Sequence, residues 1–422
     1  MTGSPRRRAC RVCRGEVREF LDLGRQPSAN AFLLPDAVDH EFFFRLAVGM
    51  CGSCTMAQLI EEIPQDVRYN ETYRYQASGS AAHRRHFEQD ARHFLEAELT
   101  GPDPLIVEIG CNDGVMLETI ARAGVRHLGV EPAKGVAEVA AARGVNVLMK
   151  FFDADAAVEI RDRHGRADVI FGANTICHIA DIGGLMRGVD ALLSVEGVFV
   201  FEEPYLGTIV HMMAFDQIYD EHVFYFTVRS VQAAAARFGF ELVDVEHVPL
   251  HGGEIRYTIA RPGARTPTPA VGELLAREIT AGLADPVALG HFGEAVRRVR
   301  DDLVALLRGI RATGGRVLGY GAPAKTTTVS NFCEIGPDLL PFVCDSTPEK
   351  QGYLIPGSHI PVRPPAEFAD DYPDYALLFA WNHAAEIMAK EQRFRESGGK
   401  WILYVPDVHV VTSPSDVPDV HV

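Results

Sequence analysis

No apolar run in this chain approaches the length of a membrane span. Basic charge is also scarce. The chain has 41 Lys and Arg against 57 Asp and Glu, for a formal net charge of −16. That balance argues against a nucleic-acid partner, because phosphate neutralisation needs basic patches. The short run Arg6-Arg7-Arg8 reads as solvated. The first residues lack the apolar core of a signal peptide, so a cytoplasmic protein is expected. Disulfides are rare in that compartment, so the eight cysteines are expected to be reduced. The remaining composition is ordinary for a globular protein, at 47% hydrophobic and 23% charged. With 422 residues there is room for about two to four domains.

The chain is organised around Val107-Glu-Ile-Gly-Cys-Asn-Asp-Gly114. Apolar residues precede it and a helix-like run follows it, which makes a strand, a tight glycine turn and a helix. Such a turn lets a ligand approach bare backbone, with helix amides pointing at it. The next strand, 125–130, ends in Glu131, where a carboxylate suits ribose hydroxyls. A dinucleotide turn would read Gly-x-Gly-x-x-Gly. Here Gly110 and Gly114 enclose Asn112 and the acidic Asp113. An acid in the turn repels a pyrophosphate and suits a cationic or zwitterionic ligand such as S-adenosylmethionine. NAD, or a turn made only for packing, stays open at this point.

Four cysteines form two C-x-x-C pairs, Cys10/Cys13 and Cys51/Cys54. Two such knuckles can close a tetrahedral thiolate cage around zinc. Such a site is structural, because four cysteines leave no open position for chemistry. A redox pair is the alternative. Beyond it, Tyr69, Tyr73 and Tyr75 read either as packing or as the lip of a sugar pocket. Residues 81–98 read as one helix, with His83, His86 and His93 exposed.

Strand-like stretches recur at 105–108, 126–130, 145–148, 167–172 and 197–202. After the third, Phe151-Phe152-Asp153 offers an aromatic face and a carboxylate for an adenine. Asn174 and His178 follow the fourth, at the strand end where open α/β sheets bind ligands. A packed core histidine competes with the functional reading of His178. The densest stretch is Phe215 to Phe226, where Tyr219, Asp220, Glu221 and His222 lie together between aromatics. That density can make a proton-transfer site. The competing reading is a surface turn with solvated charges.

Thr266-Pro-Thr-Pro269 marks a boundary, and a long amphipathic helix spans about 288–312. A second strand, glycine turn and helix follows, in which Gly319, Gly321 and Ala324 fit Gly-x-Gly-x-x-Ala. Strands are expected at 340–345, 375–381 and 401–405. Lys325 and Thr326-Thr327-Thr328 at the helix start suit phosphate. Val405-Pro-Asp-Val-His-Val410 is repeated at 417–422, and the second copy is expected to be disordered.

Taken together, these residues resemble the sugar C-methyltransferases of bacterial deoxysugar pathways. That family acts on dTDP-linked 4-keto deoxyhexoses, typically at C3. The resemblance spans about residues 9–410. It rests on the paired C-x-x-C, Val107–Gly114, Ile218-Tyr-Asp-Glu-His222, His251-Gly-Gly-Glu254, Gly319-Tyr-Gly-Ala322 with Lys325, and Trp401–Asp407. It implies an α/β protein of four parts. These are a zinc-binding domain over 1–80, a class I methyltransferase Rossmann-like domain over 81–265, a Rossmann-like sugar-nucleotide domain over 266–410, and a tail. It also implies S-adenosylmethionine as cofactor, held by Glu108, Gly110, Asn112, Gly114, Glu131, Phe152 and Asn174. His222 matches the catalytic base, with Tyr219 and Glu221 beside it. Tyr73, His178, Gly321 and Lys325 match the sugar-nucleotide pocket. In this reading His222 takes a C3 proton made acidic by the C4 ketone, and Glu221 orients the imidazole or supports its charge. Tyr219 or His178 hydrogen-bonds the oxyanion. An NAD-dependent oxidoreductase and a non-catalytic zinc-and-nucleotide-binding module remain as rivals. The sequence fixes neither the sugar's other substituents nor the oligomeric state.

Overall fold

The computed structural model describes residues 9–63 and 76–417. Tyr69, Tyr73, Tyr75 and nearly all of the repeated tail lie outside them. No helix among the described residues is long and apolar enough to cross a membrane.

The N-terminal part is a small antiparallel sheet of β1 (Val17–Pro27), β2 (Phe43–Cys51) and β3 (Ala57–Leu59). Helix α1 (Ala81–Ala97) follows, its first turn capped by the Ser80 side chain. The large sheet then begins. Its elements are β4 (Leu105–Ile109), α2 (Leu117–Arg122), β5 (Arg126–Val130), α3 (Lys134–Ala142), β6 (Val147–Leu148), α4 (Ala154–His164), β7 (Ala167–Ala173), α5 (Ile182–Leu192) and β8 (Leu193–Pro204). All five residues of β4 are buried, as a central parallel strand requires.

The chain next makes α6 (Leu206–His211), β9 (Phe224–Tyr225), α7 (Val228–Arg237), β10 (Glu241–Val248) and β11 (Glu254–Ala260). The seven strands lie in the order β10-β11-β8-β7-β4-β5-β6. Only β11 runs against its neighbours. A parallel doubly wound sheet with one reversed strand near its edge is a class I methyltransferase topology. β4 sits at the point where strand order reverses, so its C-terminal turn opens into the ligand crevice.

α8 (Pro269–Thr280) packs on β10 and α7. The methyltransferase layer therefore continues past the Thr266–Pro269 boundary read from sequence, and the chain leaves it after Thr280. α9 (Pro286–Ala312) buries a stripe of Leu289, Phe292, Val296, Val299, Leu303, Leu307 and Ile310. That stripe faces both β1 and the last sheet, built from β12 (Val317–Tyr320), α10 (Ala324–Phe332), β13 (Val343–Cys344), β14 (Val362–Arg363), β15 (Tyr375–Leu378), β16 (Lys400–Leu403) and β17 (His409–Val411). Its order, β14-β13-β12-β15-β16-β17, is again doubly wound.

One feature of the sheets escapes sequence patterning. β9, immediately after His222, pairs antiparallel with β3. The segment that carries His222 thus completes the sheet of the cysteine domain.

Candidate active site

The four paired cysteines converge. Cys10 Sγ lies 3.6 Å from Cys54 Sγ, and Cys13 Sγ lies 3.4 Å from Cys51 Sγ. All four sulfurs lie within 4.8 Å of one another. A tetrahedron of Zn–S bonds of about 2.3 Å spans that size. The amides of Gly15 and Ser53 each donate to a cysteine sulfur at 3.4 Å. The donor set and its size fit a closed structural zinc site. They do not fit an open catalytic one.

The cleft at the end of β4 is lined by Glu108, Gly110, Asn112, Glu131, Phe152 and Asn174, with Phe87, Phe151, Thr175 and His178. Gly110 has φ +71, and a Cβ there would collide with Thr175, so only glycine fits. Gly114, with φ +75, is packed against Ala140 of α3. Glu131 accepts the Asn112 amide at 3.0 Å and the Ala133 amide at 2.8 Å. Its carboxylate is thereby fixed at the cleft wall, with acceptor capacity left for ribose hydroxyls.

Glu108 is 4% exposed, and its Oε2 has no hydrogen-bond partner among the described residues. Burial first, then Asp113, Glu131 and Asp90, push its carboxyl well above the usual range. A buried acid with an open oxygen on a cleft wall fits a ligand ammonium or sulfonium.

Two sequence expectations shift here. Asp113 was read as the acid facing the ligand. It is fully buried, bonded to the Ser78 hydroxyl and amide and 3.3 Å from Arg143. It pins residues 76–80 over the glycine turn, and Asn112 Oδ1 does the same by accepting the Ala77 amide at 2.9 Å. The acid with an open oxygen on the cleft wall is Glu108. Asp153 was read beside an adenine, but its side chain caps α4 by accepting the Ala156 amide. Phe151 and Phe152 keep the place assigned to them on the cleft wall.

These elements match known proteins. Residues 80–245 match a methyltransferase domain, 10–69 a zinc binding domain and 249–406 a C-methyltransferase C-terminal domain. The chain is 37% identical to C-methyltransferase NovU of Streptomyces niveus over 410 residues, 96% of this chain and 97% of that protein. It belongs to the S-adenosylmethionine-dependent C-methyltransferases. A ubiquinone biosynthesis O-methyltransferase of Azorhizobium caulinodans is 29% identical over 28% of this chain and 45% of its own length. A crystal structure of an S-adenosylmethionine-dependent methyltransferase from Anabaena variabilis covers 41% of this chain and 82% of its own, at 16% identity and TM-score 0.34. With the family established, this C-methyltransferase is neither an NAD oxidoreductase nor a non-catalytic module.

The enzyme's densest polar stretch lies near His178. His222 is 3% exposed, and its ring stacks on His178 with centroids 5.3 Å apart. Its Nδ1 is 3.0 Å from the Gln217 carbonyl oxygen, and its Nε2 is 2.8 Å from the Tyr219 hydroxyl. A carbonyl can only accept, so Nδ1 carries the proton and Nε2 the lone pair. The imidazole is therefore oriented by Gln217. Glu221, expected in that role, accepts instead from Asn30 Nδ2 at 2.6 Å. Asp220 accepts the Ala29 amide and the Ser28 hydroxyl, each at 2.8 Å. These acids hold the 28–30 loop against the site. Burial pushes the His222 pKa down to about 3, opposed by the Gln217 carbonyl and assisted by Lys325.

At the start of α10, Lys325 is buried, 3.1 Å from Asn382 Oδ1, with its ammonium 4.7 Å from the Trp381 ring centroid. Gly321, with φ +82, turns tightly against Ala380. The three threonines read as phosphate ligands are otherwise engaged. Their hydroxyls donate to the carbonyls of Gly321, Ala29 and Ile218. Those bonds fasten α10 to the active-site loops and leave Lys325 as the cation.

Proposed function

We propose that the enzyme C-methylates a dTDP-linked 4-keto-deoxyhexose at C3, with His222 as base. The observation that carries this is the fixed tautomer of His222. Nδ1–H is spent on Gln217, and Nε2 presents its lone pair beside the Tyr219 hydroxyl. His222 Nε2 takes the proton from C3, and the C–H electron pair moves into the ring as the C4 enolate. A pKa of about 3 keeps the imidazole neutral, so no proton must leave before it acts. The imidazolium formed is then paired with the enolate anion, which favours the charged form. Tyr219, displaced from the lone pair, and His178 are the nearby donors for the enolate oxygen.

S-adenosylmethionine, when bound, supplies an electrophilic methyl group. The chain's part is to hold it with Glu108, Glu131, Gly110, Asn112, Gly114, Phe152 and Asn174. Asn174, with φ +50, is fixed by its amide on the Glu202 carbonyl at 2.8 Å. Fixing two reactants in register contributes roughly 7–11 kcal/mol in favourable cases. Gly321 and Lys325 support the nucleotide end of the sugar, and the family resemblance assigns Tyr73, outside the described residues, to the sugar pocket with His178.

The test is incubation with S-adenosylmethionine and a panel of dTDP-4-keto-6-deoxyhexoses. Mass spectrometry reads the added methyl group, and NMR reads its carbon. Methylation at C5, the other carbon flanking the ketone, would keep the enolate chemistry and move the position. No methylated keto sugar would overturn the reading.

A further inference from the structure

Three imidazoles from distant parts of the chain meet beside the cofactor cleft. His83 and His251 both line it. Their ring centroids are 4.6 Å apart, and His383 stands 6.1 Å from His83. His83 comes from the first turn of α1, His251 from the turn between β10 and β11, and His383 from the segment after β15. His83, expected to be exposed, is buried at the cleft instead.

The geometry is held from several sides. His251 sits in the left-handed region at φ +49, a strained conformation that clusters at functional sites. Its carbonyl is gripped by the Gln217 side chain. The next residue, Gly252, has φ +93, and a Cβ there would lie 2.7 Å from the Trp381 ring. The turn is therefore pressed onto the C-terminal domain beside Lys325. His83 is 6% exposed, yet its Nε2 has no hydrogen-bond partner among the described residues. An open imidazole nitrogen at a cleft is a group waiting for a ligand.

We propose that His83, His251 and His383 form, with Lys325, an anion subsite that receives the diphosphate of the sugar nucleotide. This rests on the nucleotide-sugar reading above and extends it to a specific subsite. A metal ion is the poorer occupant, because the Lys325 ammonium would repel it. No carboxylate among the described residues forms a salt bridge with Lys325. The cleft is then polar end to end, with Glu108 and Glu131 for the cationic cofactor and the histidines for the anion.

Burial favours the neutral form of all three imidazoles and leaves Lys325 as the charged group beside them. Burial pushes His83 down to about 4, with His383 and His86 adding to it. It pushes His251 well below its ordinary value, assisted by His83, Lys325, His383 and His222. His383 is lowered by burial and by Lys325, against a weak pull from Glu386. Lys325 is lowered by burial and supported by Asp216. An arriving diphosphate reverses these shifts, so binding takes up protons.

The test is calorimetry of the full chain at neutral pH with three probes, dTDP, inorganic pyrophosphate and thymidine. Running it in two non-phosphate buffers of different ionisation enthalpy counts the protons. dTDP and pyrophosphate should bind with proton uptake, and thymidine without it. His83→Asn and His251→Asn should each weaken dTDP by about tenfold, the loss of one charge-assisted hydrogen bond, and reduce the uptake. Thermal melting and retained zinc content check that each variant is folded. The half-buried His383→Asn serves where the buried variants fail that check. dTDP binding without proton uptake, unchanged in the variants, would overturn the subsite and leave the nucleotide-sugar reading intact. Pyrophosphate binding with uptake, and dTDP no tighter than pyrophosphate, would keep the subsite and remove the nucleotide. No binding of either anion would remove both.

Discussion

The Tyr219 hydroxyl stands 2.8 Å from His222 Nε2, on the one imidazole nitrogen that can accept a proton. The same ring is closed on its other side by the Gln217 carbonyl. His222→Gln keeps most of the side-chain volume and removes the basic nitrogen. Turnover should fall about 100- to 10,000-fold, the usual share of a positioned acid–base group. Affinity for S-adenosylmethionine and dTDP should change little. Near-normal turnover in the variant would transfer the base role to Tyr219 or His178.

The same geometry sets a pH dependence. A histidine pushed down to about 3 by burial is already neutral throughout the working range. The profile of kcat/KM should therefore carry no acid limb from His222 near the ordinary histidine value of about 6.5. An acid limb there that disappears in His222→Gln would contradict this.

Cofactor binding should depend on pH through Glu108. Its carboxyl is held well above the usual range, chiefly by burial. A cation entering beside it favours the carboxylate, so binding releases a proton and tightens as pH rises. Glu108→Gln should weaken S-adenosylmethionine and flatten that dependence. Glu131→Ala should cost roughly 1.5–3 kcal/mol of binding, the range for hydrogen bonds to a charged group. Titration calorimetry from mildly acid to mildly alkaline buffer reads both. Unchanged affinity in either variant removes that residue from the site.

Zinc should matter to the active site through β3 and β9. Ala57 pairs with Tyr225 and Gln58 with Phe224, only a few residues from Cys54 on one side and His222 on the other. A Cys10→Ser/Cys51→Ser variant should lose the metal and unfold at lower temperature, because a structural site contributes folding free energy. Protection of the 219–226 amides against hydrogen exchange should drop as well. Full zinc content in that variant would disprove the assignment.

Much of this was legible in the chain because local signals and fold agree. The glycine turn at 110–114, the strand spacing and the C-x-x-C pairs each report on a short stretch of backbone. What stayed hidden depends on contacts between distant segments. Asp113 faces Ser78 and Arg143 only because residues 76–80 fold back over the turn. Glu221 meets Asn30 across most of the N-terminal half. The threonines of α10 bond to Ala29 and Ile218, so a phosphate-like pattern serves domain packing. His86, read as exposed, is half-buried and pairs with Asp90 and Glu202, which places its neighbour His83 at the cleft.

Glu203 supports the last prediction. It follows Glu202 on β8 and is fully buried. One of its carboxylate oxygens accepts three consecutive amides, from Thr175 at 3.1 Å, Ile176 at 2.6 Å and Cys177 at 3.1 Å. Those amides form the turn that carries Asn174 into the cofactor cleft and His178 onto His222. Glu203 is thus a positioning residue. Glu203→Ala leaves the amides without an acceptor and lets the turn drift. A displacement of about 1 Å at reacting groups can cost about 100-fold, so kcat should fall by that order while dTDP affinity holds. Glu203→Gln keeps one acceptor oxygen and should recover most of the loss. Burial pushes the Glu203 pKa up to about 7, against the pull of Cys177 and the three amides. The folded state therefore binds the proton more tightly than the unfolded chain, whose glutamate titrates near 4.3. Its stabilising share is full below that value and is lost as pH rises towards 7. Thermal melts of the wild type should lose stability over that window more steeply than those of Glu203→Gln. Equal slopes, or an unchanged kcat in Glu203→Ala, would refute the assignment.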